Sequence, residues 1–270
     1  MIHGDNIYQL AVEADNEDEA REIFEIFRSC INVVYGTLLI DTDSMPVYFE
    51  VYSPQNVTKY RVGPLIFNGD LLSDALPMII NALEKEQYSV ALLKYCASQC
   101  LYPVHYVDFS TNKYQSTING IMLIDHIMMG YSIIISYSII EELGLDVRAT
   151  KDNPSSINGK WNPGVISSLR SRLVQVGVNP DESIDWLSRA GSIRPFKKET
   201  VVEGACEWNN GTDILDVKLN IVDAILEISY VRSCLAAHAN TFRLRSIHPI
   251  DVQNANHLAR ILLMDVLKKS

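Results

Sequence analysis

No stretch of eighteen apolar residues without a charge occurs in this 270-residue chain, so the run that a membrane helix asks for is missing. The nearest approach, 121–140, contains Asp125 and His126, then Gly130 and several hydroxyls. It reads as a buried core helix, with a membrane span as the weaker alternative. A basic-then-apolar leader is missing as well: the N-terminus is acidic, and a cytoplasmic protein is expected. Cysteine is scarce. Cys30, Cys96, Cys100, Cys206 and Cys234 are odd in number, in a chain too long to need staples, and fit free thiols in a reducing compartment. Cys96 and Cys100 stand four apart with no second pair following. Even with His105 and His126 nearby, no zinc site is expected, and no metal or cofactor is called for.

Basic residues are few in the first half. Residues 1–140 hold 7 basic and 17 acidic side chains, whereas 141–270 hold 16 of each. The whole net charge of −10 therefore comes from the first half. That argues against nonspecific polyanion binding there, and leaves room for a local basic patch in the second half. Apolar residues at 47% and charged residues at 21% make this a folded chain with a sizeable core.

An α+β fold is expected, in two parts. The first, 1–110, reads as a small unit of helices and antiparallel strands, a possible sensor or docking surface for a partner protein. A helix over 15–33 is capped by Asp15 and carries Asp18, Glu19 and Glu22 in its first turns. Strands are expected at 33–39, 47–52 and 58–62, separated by turn formers. A helical stretch over 72–99 breaks near Glu86, and a further edge strand is expected over 101–109. The second part, 111–270, reads as an all-helical bundle. Its helices span 114–143 with Gly144 as stop, 163–176 opened by Asn162-Pro163, 181–189, 212–239 and 249–267. An exposed loop covers 146–162.

The helix over 212–239 ends in polar chemistry. Arg232 stands in its last turns and His238 follows six residues later. On an α-helix that places them roughly 120° apart in rotation and about 9 Å apart along the axis, so both can border one cleft. A guanidinium grips a phosphate with two donors and steadies developing charge. An imidazole moves the proton of the ribose 2′-hydroxyl or protonates the leaving 5′-oxygen. RNA supplies its own nucleophile, so no metal is required. A charged His near a helix C-terminus is also favourable on its own account. One His per chain is thin for acid–base work, and a symmetric dimer would bring two to one groove.

The segment Arg232-Ser-Cys-Leu-Ala-Ala-His238, followed by a connector, by Ser246-Ile-His-Pro-Ile-Asp251 and by a final apolar helix, resembles the HEPN superfamily. Its defining mark is an Arg followed after four to six residues by a His, near the end of a long helix. The resemblance covers 114–270. It implies a helical fold, a homodimer with both motifs on a shared cleft, and a ribonuclease of the toxin or antiviral kind that leaves a cyclic phosphate. Active members commonly carry Asn, Asp or His directly after the Arg, where this chain has Ser233.

Other residues are drawn toward this site. Glu141, at the end of helix 114–143, is expected to orient His238 or pair with Arg232. Arg148, Lys160 and Trp161 of the loop, with Asn240, Arg243 and Arg245 beyond the motif, are expected to contact RNA, Trp161 by stacking on a base or, alternatively, as a core anchor. Arg243 and His248 form a second pair of suitable spacing, straddling a loop before Pro249. The expected function is metal-independent endoribonuclease action on RNA, transfer RNA being one candidate. The alternative is a noncatalytic module that binds a nucleotide or a protein. A cysteine hydrolase finds no nucleophile turn.

Overall fold

A computed structural model describes residues 6–36, 48–52, 59–67, 70–101, 123–157, 160–189, 214–237 and 247–269. The first expected helix forms as α1 (Glu17–Tyr35). Its cap is Asn16 rather than Asp15. The Asn16 side chain accepts the Glu19 N–H at 2.9 Å, and the Glu19 carboxylate accepts the Asp15 N–H at 2.7 Å. Two orphan donors are thus satisfied reciprocally. Phe24, Phe27, Cys30, Ile31 and Val34 face inward at helical spacing. This stripe explains why 33–35, rich in β-branched residues, completes a helix and not a strand: burial against neighbours outweighs a weak propensity.

The antiparallel sheet of the first half has the order β1-β3-β2, from β1 (Asn6–Glu13), β2 (Tyr48–Tyr52) and β3 (Lys59–Phe67). The second and third expected strands are β2 and β3. The remaining strand is β1, absent from the sequence-based expectation. Its pairing slips between Tyr8 and Leu10, and such an irregularity spoils the alternation by which strands are recognised. The helical stretch splits into α2 (Asp70–Glu84) and α3 (Glu86–Leu101), one residue from the expected break. Of the strand expected over 101–109, Leu101 closes α3 and the rest lies outside the described residues.

The long apolar helix is α4 (Leu123–Glu142), and 114–122 lie outside the described residues. It stops at Gly144, φ 72°, with the Gly144 N–H on the Glu141 carbonyl and the Leu145 N–H on the Ile140 carbonyl, both at 2.9 Å. That is the Schellman arrangement, in which a left-handed glycine recovers two orphan carbonyls. By length and composition α4 is apolar enough to cross a membrane, and half of that stretch is buried inside the protein. The loop after it carries a short hairpin, β4 (Ser156–Ile157) with β5 (Lys160–Trp161). Next comes α5 (Pro163–Gln175), capped as expected by Asn162, whose side chain accepts the Gly164 N–H at 2.9 Å.

The second half is not all-helical. β6 (Ser183–Arg189) replaces the short helix expected over 181–189, and β7 (Ile214–Asn220) replaces the start of the helix expected over 212–239. They pair antiparallel from Ser183↔Asn220 to Arg189↔Ile214. The spacing of Ile214, Val217 and Ile221 fits a helix, but Val217 and Leu219 also alternate with Asp216, Lys218 and Asn220. The alternation decides because a partner strand is present: Ile184 and Trp186 are buried, and Asp185 pairs with Lys218 across the hairpin. Asn220 then ends the strand and caps α6 (Ile221–Tyr230), accepting the Asp223 N–H at 2.8 Å. A π-helical segment, Val231–Ala236, continues α6. The last element is α7 (Pro249–Lys269).

One apolar core joins α1, α2 and α3 to α4, α5, α6 and α7. The expected domain boundary at 110 falls outside the described residues, but the helices on either side of it share this core. A buried polar thread ties three of them. Ser98 and Ser136 donate to the Asn256 side-chain oxygen at 3.0 and 2.6 Å, and Ser132 donates to the Ser98 carbonyl at 3.0 Å. α3, α4 and α7 are thereby held in one register, which fixes where the end of α4 lies.

Candidate functional site

Arg232 is carried by the π-helical segment, not by an α-helix. The segment closes with the Ala237 N–H on the Arg232 carbonyl at 2.9 Å, a bond spanning five residues. The 100° rotation assumed for an α-helix therefore does not apply beyond Val231. Wider turns of this kind are frequent at functional sites. His238 lies outside the described residues, as do Asn240, Arg243 and Arg245. Ser233 is exposed beside Arg232.

Among the described residues the Arg232 guanidinium meets two side chains of α4. Its carbon stands 5.5 Å from the centre of the Tyr137 ring, within the range of a cation–π contact. One of its nitrogens is 3.4 Å from Glu141 Oε1. The two side chains of that pair remain 36% and 41% exposed, so the contact is open to solvent and weak. The expected meeting of Glu141 with Arg232 thus forms. Tyr137 was missed by sequence reading. The signal was available: Tyr137 precedes Glu141 by four residues, the spacing that puts two side chains on one helical face.

Tyr137 is itself held. Its hydroxyl accepts the Val147 N–H at 2.8 Å and shares a hydrogen bond with Ser229 of α6. Burial pushes this hydroxyl above its ordinary range, ahead of the opposing effect of Ser229 and Val147, so it stays neutral at physiological pH. Through Val147 the ring is tied to the segment that bears Arg148. The Arg148 side chain is exposed and lies 3.3 Å from Asp146. Asp146 also meets Arg172 at 3.2 Å.

Arg172 of α5 carries no signal in the sequence that marks it out. It donates to the Gly144 carbonyl and the Asp146 carbonyl, each at 2.6 Å, and so clamps the chain as it leaves α4. Lys160 is exposed on β5, while Trp161 is half-buried and packs against the main core. His248 is buried, its Nδ1 accepting the Ile250 N–H at 3.2 Å at the start of α7. Among the described residues no group of three His, Cys, Asp or Glu is placed to hold a metal ion. Cys96 of α3 is engaged by Ser29 and Asn32 of α1.

Fold and site together define an α+β protein, mostly helical, with a half-exposed arginine on a π-helical turn against the end of a core helix. Comparison takes the class no further: no protein-family model, no curated protein and no solved structure matches the chain.

Proposed function

We propose that this chain is an endoribonuclease of the HEPN-like kind, in which Arg232 grips a phosphate and His238 moves the proton. The observation that carries this is the setting of Arg232, a half-exposed guanidinium on a π-helical turn, set over Tyr137 and only loosely paired with Glu141. A guanidinium so placed can offer two donors to a phosphodiester while its ring contact persists. In the proposed reaction neutral His238 takes the proton of the ribose 2′-hydroxyl. The oxygen attacks the adjacent phosphorus, and the 5′-oxygen leaves with a proton from the imidazolium of a second copy. The products are a 2′,3′-cyclic phosphate and a free 5′-hydroxyl. Two copies in a homodimer would supply base and acid to one groove. Arg148, and in the same proposal Lys160, Asn240, Arg243 and Arg245, would guide the RNA backbone. A cytoplasmic role as a toxin or in antiviral defence belongs to this proposal, as does a partner protein on the acidic first half.

The test is cleavage of a labelled ribo-oligonucleotide, or of transfer RNA, in the presence of a chelator. Wild type is expected to release cyclic-phosphate ends, and His238→Ala to lose at least about 100-fold in rate, the scale of a lost general base. Undiminished cutting by the His238→Ala protein would remove the nuclease proposal. A second reading, a noncatalytic module that holds a nucleotide, is favoured by one observation: the Arg232 guanidinium on the Tyr137 ring can hold an anion without any chemistry. Saturable binding by a protein that never cuts would select it.

A further inference from the structure

The two neighbours of Arg232 differ in kind. Tyr137 is neutral, buried and pinned at its hydroxyl by Val147 and Ser229. Glu141 is charged, open to solvent and touches the guanidinium through one oxygen at 3.4 Å. A charge-assisted bond of good geometry runs about 2.7–2.9 Å and, for Arg with a carboxylate, is often double. Glu141 also occupies a poor place for an anion. It lies in the last turn of α4, where the helix presents its negative end. The neighbouring carboxylates have other cations: Glu142 pairs with Lys94 at 2.6 Å, and Asp146 with Arg172 and Arg148. Among the described residues Arg232 is the cation that meets Glu141.

We propose that Glu141 is a built-in competitor for the anion site of Arg232. It neutralises the guanidinium in the free protein and is exchanged for a phosphodiester when RNA binds, while Tyr137 keeps the guanidinium in place through the exchange. This rests on the reading of Arg232 as the phosphate-gripping group and adds the regulation of that grip. The carboxylate lowers affinity for isolated phosphates and raises the threshold that a polyanion must pass. Tyr137 is a positioning residue: it acts through Arg232. Because the two α4 side chains stand four residues apart, one face of one helix supplies both the fixed support and the exchangeable partner.

The experiment measures binding of a 2′-O-methyl ribo-oligonucleotide, which lacks the nucleophile and stays intact, to the full chain across a salt series. Glu141→Gln is expected to bind about two- to five-fold more tightly, the scale of an exposed ion pair. Its affinity should also fall more steeply with salt, because one uncompensated positive charge more meets the strand. In an Arg232→Ala background the gain from Glu141→Gln is expected to vanish. Tyr137→Leu removes the ring and is expected to weaken binding about two- to five-fold. The exposed Glu141 arm decides the matter even where Tyr137→Leu fails to fold. Unchanged or weaker binding by Glu141→Gln, or a gain that survives without Arg232, would overturn the exchange. A wild type that binds but never cuts removes the cleavage reading alone, and one that binds no oligonucleotide at any salt removes both.

Discussion

Two arginines from different elements meet the end of α4 and the chain that leaves it, and the two are used in opposite ways. Arg172 comes from α5 with its side chain only 15% exposed. It reaches two carbonyls and one carboxylate, all within 3.2 Å. Burial, and next the nearby Arg148, hold its guanidinium below the ordinary value, while Asp146 works against them. Arg232 comes from the π-helical segment, is more than twice as exposed, and meets one carboxylate at 3.4 Å and one aromatic face. The first arginine has both terminal nitrogens engaged by the chain. The second, among the described residues, meets the chain only through one long ion-pair contact and one ring face. One helix end therefore serves as a locked frame on one side and a poised tip on the other, and residue type alone does not distinguish the two.

The sharpest way to break this contrast is to remove each arginine in turn. Arg172→Ala leaves the Gly144 and Asp146 carbonyls without their charged donor and opens the turn that ends α4. A loss of about 2–4 kcal/mol is expected from charge-assisted bonds of this kind, read from urea denaturation midpoints. Arg232→Ala is expected to cost under about 1 kcal/mol, as a solvent-open pair does, and under the proposed function to weaken oligonucleotide binding. Equal losses of stability from the two changes would mean that Arg232 too is part of the frame.

Much of this frame was legible in the sequence because it is written in local patterns. Asn162-Pro163 opening α5, Gly144 closing α4 and the break before Glu86 are each decided within a turn of chain. Strand β7 was not legible, because Ile214, Val217 and Ile221 satisfy helical spacing and only the partner β6, some thirty residues earlier, turns the alternation into a ladder. The tip was half legible. Arg232 and Glu141 could be brought together from the expected ends of two helices, but Tyr137 and the π-helical turn depend on tertiary packing around Val147 and Ser229. Arg172 escaped notice for a similar reason. Its acceptors are backbone carbonyls, which carry no residue signature.

Two glycines sharpen the contrast on a smaller scale. Gly36 and Gly144 both end helices in the left-handed region, at φ 83° and 72°. A side chain at Gly144 would meet nothing within 4 Å, whereas one at Gly36 would stand 3.1 Å from the Arg260 guanidinium. That guanidinium holds the Val33 and Val34 carbonyls at 2.6 and 2.8 Å. Gly144→Ala should therefore cost only the backbone penalty of about 1–2 kcal/mol. Gly36→Ala should cost more, because Arg260 must yield one of the bonds that join α7 to α1. Thermal midpoints of the two variants give the order directly, and a reversed order would show that Arg260 is not part of the frame.

The smallest expected effect concerns pH. His257 sits half-buried on α7, near Arg260, Asp185 and Lys218. Burial, then Arg260, holds its imidazole below the ordinary value. Asp185 opposes this and Lys218 adds to it. The unfolded chain takes up the proton near the ordinary value of about 6.5, before the folded chain does. Below that pH the unfolded state binds more protons, so stability is whole above it and declines as pH falls toward the folded value. His257→Gln should flatten the decline in urea midpoint between about pH 7.5 and 5.5. A decline that persists unchanged in that variant would place the acid sensitivity elsewhere in the chain. If it flattens, the acid sensitivity of the fold is carried by His257, and Arg260, the neighbour that most opposes its charge, becomes the group to substitute next.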